Sequence, residues 1–140
     1  MPKRQRIKMG HVLAIPLPDD TFAFGKIFND AGIGIYKHIG RDYNELPQKE
    51  EFQFIVGVYD DVVKSGEWPK VDYRPFEDEE SAWPPPSCIF DVISKGYSLY
   101  HKGEIYDSTE EECEGLEVAA IWEGHAIIER IMGDESWREY

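Results

Sequence analysis

The sequence contains only two cysteines, Cys88 and Cys113, and has no CxxC motif. A zinc cluster or a dithiol redox site needs closely spaced cysteines, so we expect two reduced, buried thiols. No apolar run approaches the roughly 18 residues that span a membrane, and no apolar segment follows the basic residues at the start of the chain. These absences predict a cytoplasmic protein with no membrane partner.

The usual sequence signatures of catalytic sites are missing as well. There is no GxSxG, HExxH, Walker-type or GxGxxG sequence, and each of these patterns carries a specific nucleophile, metal or phosphate site. His101, Glu104, Asp107 and His125 are the remaining candidates for an active site, but their spacing matches no ligand motif. We therefore predict a protein that is not an enzyme and that binds no metal and no cofactor.

Basic residues are scarce in the second half of the chain. Residues 1–70 hold ten Lys and Arg against ten Asp and Glu, whereas residues 71–140 hold five against eighteen. The whole net charge of −13 therefore lies in the second half. Such a surface repels nucleic acid and anionic lipid, because phosphate binding needs Lys and Arg. It attracts a basic partner and speeds their encounter, or it serves only to keep the protein soluble.

Two acidic runs contribute much of this charge. Glu77–Glu80 precede Trp83 and three consecutive prolines, and Glu110–Glu114 follow Tyr106. Acidic groups around aromatic side chains are typical of a protein interface, in which the aromatic residues bind and the charges steer. A solvated acidic surface is the alternative. The residues predicted to form the interface are Glu77, Asp78, Glu79, Glu80, Trp83, Tyr106, Glu110, Glu111, Glu112 and Glu114.

Alternating apolar residues near the start of the chain predict a β-hairpin. In the segment HVLAIPLPDDTFAFGKIF, from His11 to Phe28, Phe22 and Phe24 alternate with smaller residues, as the side chains of a half-buried strand do. The central Pro-Asp-Asp supplies turn chemistry, since proline presets φ and aspartate bonds its own backbone. Gly25 within the second strand predicts a bulge or a close approach by another segment.

The rest of the chain predicts more strands followed by a helix. Strands first and a helix late are typical of an α+β domain, here with a curved antiparallel sheet or partial barrel and a C-terminal helix. We assign residues 1–140 to one domain and residues 1–9 to a flexible basic tail. The predicted elements are strands over 32–40, 52–63 and 88–93, a hairpin over 97–107 that turns at Lys102-Gly103, a helical turn capped by Ser108 or Thr109, and a helix with an apolar stripe over 126–131.

The ordered set of segments resembles the immunity protein 26 family, small cytoplasmic proteins of bacterial polymorphic-toxin and contact-dependent inhibition systems. Those proteins typically begin with a glycine, an apolar strand ending in IPL, a short polar turn and an aromatic strand with FG. The segments WPPP, YHKGE and GLEVAAIWEGHAIIERI are also similar in kind and order, so the resemblance spans roughly Gly10 to Met132. The matching positions of the hairpin are Gly10, Ile15, Pro16, Leu17, Phe24 and Gly25.

The resemblance implies a protein that binds one cognate toxin and blocks it, and it carries over no catalytic residues. Many such toxins are basic nucleases, whose phosphate-binding groups an acidic surface would occupy. Two alternatives stay open. One is a small β-barrel-like module that binds a peptide or a small ligand through aromatic residues around Trp68 and Trp83. The other is an enzyme with a His/Glu site.

Overall fold

The computed structural model of the chain describes residues 4–133. Within them the chain forms two open β-sheets and short helices, so the predicted α+β class is confirmed and neither sheet closes into a barrel. The strands are β1 (His11–Pro16), β2 (Phe22–Ile27), β3 (Gly32–Tyr36), β4 (Phe52–Val58), β5 (Lys70–Tyr73), β6 (Ser87–Asp91), β7 (Gly96–His101), β8 (Glu104–Ser108) and β9 (Ile121–Trp122). The α-helices are α1 (Asp60–Lys64), α2 (Glu110–Cys113) and α3 (Gly124–Ile131).

The first sheet has the strand order β5-β1-β2-β3-β4-β9, in which neighbours are antiparallel except for the short parallel pair of β4 and β9. One apolar cluster joins this sheet to α1 and α3 and includes Leu13, Ile33 and Ile127. A smaller cluster on the opposite face includes Phe24 and Tyr36. The central strands are therefore buried on both faces, which explains why their sequences are almost continuously apolar.

The first hairpin forms as its sequence predicts. β1 ends at Pro16, and the N–H of Leu17 donates to the carbonyl of Thr21 at 2.9 Å across the Pro-Asp-Asp turn. Gly25 marks a close approach, because a Cβ atom there would lie 2.5 Å from Cδ1 of Ile33 on β3. Glycine at this position therefore lets the Ile33 side chain pack directly on the backbone of β2.

The C-terminal helix is confirmed as α3, with Ile127 fully buried against the first sheet. The strand predicted over residues 52–63 is too long: β4 ends at Val58, and the chain continues as α1. Asp60 and Asp61 lie in the first turn of that helix. Carboxylates are favourable at a helix N-terminus, because they face the positive end of the helix dipole.

The second sheet has three antiparallel strands in the order β6-β7-β8. β7 and β8 form the predicted hairpin, which turns at Lys102 and Gly103 with φ angles of 55° and 78°. Positive φ at both central positions is typical of the two-residue turn whose twist matches that of the strands. Cys88 pairs with Leu99 and Leu99 pairs with Tyr106, so these three side chains lie on one face of the sheet.

Residues 117–122, called the linking segment below, connect the two sheets. Cys88 of β6 donates its N–H to the carbonyl of Glu117 and accepts the N–H of Ala119, both at 2.8 Å. The segment then continues into β9, which pairs with β4 of the first sheet. From α3, Arg130 donates two hydrogen bonds of 2.7 Å to the Glu117 carboxylate, and its guanidinium lies 4.0 Å from the ring centroid of Phe54. Backbone and side-chain bonds therefore hold the two sheets together.

The chain before β1 differs from the predicted flexible tail. The side-chain amide of Gln5 donates to the carbonyls of Val63 and Trp68 at 3.0 and 2.7 Å and accepts the N–H of Lys70 at 3.1 Å. A single glutamine thus satisfies three backbone groups at the edge of the first sheet and fixes this part of the basic segment. Residues 1–3 of the predicted tail lie outside the described residues.

Cys88 and Cys113 form a disulfide, so the prediction of two reduced thiols is wrong, although both residues are buried as expected. Their Cα atoms lie 5.4 Å apart, a separation that a disulfide readily bridges. The bond joins β6 to α2, and the two cysteines are 25 positions apart in the sequence. The spacing of two isolated cysteines does not reveal such a pairing, because it depends on how β6, β7 and α2 pack.

We predict that reduction of this disulfide lowers the free energy of unfolding by about 3 kcal/mol, because the cross-link restricts the unfolded chain over a loop of this length. Urea denaturation with and without dithiothreitol measures the difference. The double variant Cys88→Ala/Cys113→Ala is the control, and its denaturation midpoint should not respond to the reductant. A wild-type midpoint that is equally insensitive would contradict a stabilising role for the bond.

Candidate interaction surface

Exposed apolar side chains are concentrated on the second sheet. Ile105 and Tyr106 of β8 are 66% and 49% exposed, Phe90 of β6 is 47% exposed, and Ile93 in the β6–β7 turn is 92% exposed. Single exposed apolar residues are common, but a group of them with polar residues around it is typical of an interaction site. We call the exposed side chains of β6, β7, β8 and their two turns the β6–β8 surface.

The second acidic run lies on α2, beside the β6–β8 surface. Thr109 caps this helix as predicted, since its side-chain oxygen accepts the N–H of Glu112 at 3.2 Å. Cys113 is the buried residue of the helix, and its disulfide with Cys88 holds α2 against β6. Because Cys88 and Tyr106 share one face of the sheet, the structure places Tyr106 and the α2 carboxylates on the same face, as the interface prediction requires.

The first acidic run lies in the loop before β6, around a short 3₁₀ turn at Glu80–Ala82. The Asp78 carboxylate accepts the N–H of Ser81 at 2.7 Å, a bond that holds the start of the turn in place. Glu80 forms an ion pair with Lys102, which lies in the β7–β8 turn. These bonds attach the first run to the second sheet at the end opposite Phe90. The structure thus brings both predicted acidic runs to the β6–β8 surface.

The predicted interface residues fall into two groups. Asp78, Glu80 and Glu112 are exposed, but each has a bond within the chain, so part of their role is structural. Glu77 and Glu79 are exposed and make no ion pair within the described part of the chain, and the same holds for the remaining carboxylates of α2 and its C-cap. This second group has charges that are open to a partner. Its α2 members are Glu110, Glu111 and Glu114.

The two predicted aromatic residues differ in exposure. Tyr106 is about half exposed, whereas Trp83 is mostly covered behind the first acidic run. The Tyr106 hydroxyl donates a hydrogen bond to the Glu104 carboxylate, and this bond raises the pKa of Tyr106. The phenol therefore stays uncharged near neutral pH, which suits an aromatic group that packs against a partner.

The predicted alternative of a ligand site around Trp68 is wrong, because Trp68 is only 3% exposed and belongs to the core of the first sheet. A groove of about 680 Å³ does lie between the two sheets. Phe54, Pro84, Tyr100 and the linking segment line it, but neither Trp68 nor Trp83 does. The aromatic residues singled out for that alternative are thus not brought together around a cavity.

The candidate active-site residues are only partly brought together. Glu104 and Asp107 both lie on β8, and His101 lies opposite Glu104 on β7. His125 is on α3, with its Nδ1 3.3 Å from a carboxylate oxygen of Glu123. Within residues 4–133, no three side chains of His, Cys, Asp or Glu come together in a way that could hold a metal ion. Every helix in that range is too short or too polar to cross a bilayer.

One charged cluster was not predicted from the sequence. Lys26 of β2 is 5% exposed, and its Nζ lies 2.7 Å from the Glu50 carboxylate. Glu50 also accepts the Tyr36 hydroxyl at 2.6 Å and a guanidinium N–H of Arg74 at 3.0 Å. Burial and the bond to Glu50 raise the pKa of Tyr36. A lysine inside an apolar strand was the signal available in the sequence, but only the structure shows its partners.

These observations define a small α+β protein with a well-buried first sheet and a second sheet that presents apolar and acidic groups, a combination typical of a protein that binds another protein. The sequence model of the immunity protein 26 family matches residues 8–99, and the chain belongs to this family. Comparison with curated proteins and with solved structures finds no match.

The family match divides the candidate surface. It includes the first hairpin, the charged cluster around Glu50, the first acidic run and β7 as far as Leu99. The resemblance seen in the opening hairpin and in WPPP is thereby confirmed at the level of the family. β8, α2 and α3 lie beyond the match, so the segments YHKGE and GLEVAAIWEGHAIIERI are not part of it.

Removing the charge of Glu50 should make the free energy of unfolding less dependent on pH in the acid range. Burial alone would raise the pKa of Glu50, but hydrogen bonds from Lys26, Tyr36 and Arg74 outweigh it and lower the pKa. A carboxyl with a lowered pKa stabilises the fold above its unfolded pKa of about 4.3, and this contribution is lost as the pH falls through the folded value. Urea midpoints of wild type and Glu50→Gln should therefore differ near neutral pH and converge in acid.

The matched control for this experiment is Glu51→Gln, since Glu51 is an exposed neighbour whose carboxylate makes no ion pair within residues 4–133. Its urea midpoint should follow that of the wild type at every pH. A Glu50→Gln variant that is equally stable at neutral pH would show that the cluster contributes nothing to the fold.

Proposed function

We propose that the protein neutralises a cognate bacterial toxin by covering the toxin's active or substrate-binding surface with the β6–β8 surface and the two acidic runs. Membership of the immunity protein 26 family supports the toxin as the partner. The observation that supports this site is the pair of exposed aromatic side chains, Phe90 and Tyr106, on the face of the second sheet that carries Cys88. Exposed carboxylates of α2 that make no ion pair within residues 4–133 lie beside them. Apolar contacts of this kind slow dissociation, and the charges speed association.

The acidic surface supports a basic nuclease as the toxin. A nuclease holds the phosphates of its substrate with Lys and Arg, and carboxylates form charge-assisted hydrogen bonds with the same groups. Glu110, Glu111 and Glu114 on one side, with Glu77 and Glu79 on the other, would compete for these cations. The protein then acts by occlusion alone, without catalysis, and neither nucleic acid nor a membrane is its partner.

Charge reversal on α2 tests the acidic interface. We expect the triple variant Glu110→Lys/Glu111→Lys/Glu114→Lys to bind the toxin domain encoded by the neighbouring gene about tenfold or more slowly at low salt, with a smaller effect at high salt. Glu112 is left intact because it belongs to the helix cap. Stopped-flow association rates at two salt concentrations, together with a toxicity assay, provide the measurement. Glu77→Lys/Glu79→Lys tests the first run in the same way.

The matched control reverses the charge at three carboxylates that lie outside both acidic runs and outside the second sheet. Glu51→Lys/Asp61→Lys/Glu67→Lys changes the net charge by the same amount, and all three positions are exposed. We expect this variant to associate with the toxin domain much faster than the α2 variant. Equal slowing of association in the control and the α2 variant would assign the effect to the overall charge. If both the α2 variant and the Glu77→Lys/Glu79→Lys variant kept the wild-type association rate and full protection, the acidic interface would be refuted.

We also propose that the protein acts in the cytoplasm of the producing cell. Disulfides are rare in that compartment, so the Cys88–Cys113 bond makes the location worth testing directly. Cell fractionation followed by immunoblotting should find the protein in the cytoplasmic fraction, with a known periplasmic protein as the control. Recovery together with the periplasmic control would refute the proposal.

A further inference from the structure

β8 is an edge strand with an unpaired outer side. It is the last strand in the order β6-β7-β8, and within residues 4–133 it pairs with β7 alone. Residues 104–107 are all exposed. Natural proteins usually protect such an edge with charged side chains, proline or a bulge. β8 has a regular register to β7 and no proline, so its only protecting groups are the carboxylates of Glu104 and Asp107. The outer side of β8 is therefore available to another strand.

The hairpin turn determines which amides of β8 point outward. A two-residue turn makes its flanking residues, His101 and Glu104, a hydrogen-bonded pair. Because hydrogen-bonded and non-hydrogen-bonded positions alternate in an antiparallel ladder, the N–H and C=O groups of Ile105 and Asp107 point away from β7. These two residues thus offer two donors and two acceptors along the open edge.

The charge around this edge indicates the kind of strand that fits. Residues 104–114 contain six Asp and Glu and no Lys or Arg, and two of the acidic residues, Glu104 and Asp107, lie on β8 itself. A strand that carries Lys or Arg would place cations opposite these carboxylates. Opposite charges across a strand pair stabilise it, whereas an acidic strand would be repelled.

We propose that a basic strand of the toxin adds to the outer edge of β8, so that the second sheet continues into the partner. The inference rests on the proposed function and specifies how the complex forms. Backbone hydrogen bonds to Ile105 and Asp107 supply affinity, as in other cases of strand addition. The side chains of Ile105 and Tyr106 lie on opposite faces of β8, so each packs against a different face of the added strand.

A second copy of this chain is the competing occupant, and charge disfavours it. Pairing of two β8 strands would bring together two copies of residues 104–114, each with six Asp and Glu and no Lys or Arg. Like charges brought together in this way repel, and they destabilise a strand pair most where they lie directly opposite each other. Each chain also carries a net charge of −13, which opposes self-association. The acidic side chains thus protect the edge from copies of itself while leaving it open to a basic strand.

Amide hydrogen exchange followed by NMR tests the pairing directly. The probe is the toxin domain encoded by the neighbouring gene, and the free protein is compared with the complex. In the free protein the outward amides of Ile105 and Asp107 should exchange quickly, whereas the amide of Tyr106, which faces β7, should be protected. Complex formation should slow exchange at Ile105 and Asp107 by about tenfold or more, since a new hydrogen bond must open before exchange.

Proline substitution provides a second readout. Ile105→Pro removes an outward N–H and places a ring on the open edge, but it removes no hydrogen bond to β7. We expect it to weaken toxin binding about tenfold or more. The matched control Ile105→Thr keeps the N–H and should bind within about threefold of the wild type. Far-UV circular dichroism and the urea midpoint establish whether both variants fold. If one variant does not fold, the hydrogen-exchange experiment on the wild type alone tests the proposal.

The outcomes separate this inference from the proposed function. A complex that leaves exchange at Ile105 and Asp107 unchanged overturns strand addition and leaves the immunity role intact. Failure to form any complex, with no protection from the toxin, overturns both. Concentration-dependent protection of the same amides in the free protein would show that a second copy, and not the toxin, pairs with β8.

Discussion

The position of the second sheet depends on the linking segment between α2 and α3. Among the described residues, neither apolar cluster of the core contains a side chain of β6, β7 or β8. The second sheet is instead attached through the Tyr100 hydroxyl, which donates to the Asp30 carboxylate at 2.6 Å, and through backbone hydrogen bonds between Cys88 and the linking segment. The pair formed by Glu117 and Arg130 adds a further link from the linking segment to α3. That pair is largely shielded from water, where a bidentate bond between charges is stronger than on an open surface. The candidate interaction surface is therefore presented by a sheet that stands apart from the main core.

Much of the fold could be predicted because its local signals agree with the tertiary structure. The alternation around Phe24, the Pro-Asp-Asp turn, the Lys102-Gly103 turn and the Thr109 cap each act over a few residues. Both hairpins also join neighbouring segments, so pairing them needs no knowledge of distant contacts. For the candidate interface the sequence reveals the acidic runs but not the exposure of the aromatic residues near them, since Tyr106 is half exposed and Trp83 is mostly covered.

The missed features all join residues that are far apart in the sequence. The disulfide, the Gln5 side-chain bonds and the cluster of Lys26 with Glu50 depend on packing that local patterns do not encode. The prediction of a strand as far as residue 63 failed for a related reason. The β-branched residues of α1 can pack against the core from either a strand or a helix, so contacts with the rest of the fold determine which of the two forms. The edge position of β8 was likewise invisible, since strand order follows from topology.

The disulfide also determines how freely the acidic helix can change. It joins Cys88, which lies inside the family match, to Cys113, which lies beyond it. Cys113 is the buried residue of α2, so the other side chains of that helix contribute little to its position. A helix anchored by one covalent bond can exchange its surface charges without losing its place. If the proposed function holds, such an arrangement would let the charges that face the toxin change while the sheets that carry them keep their structure.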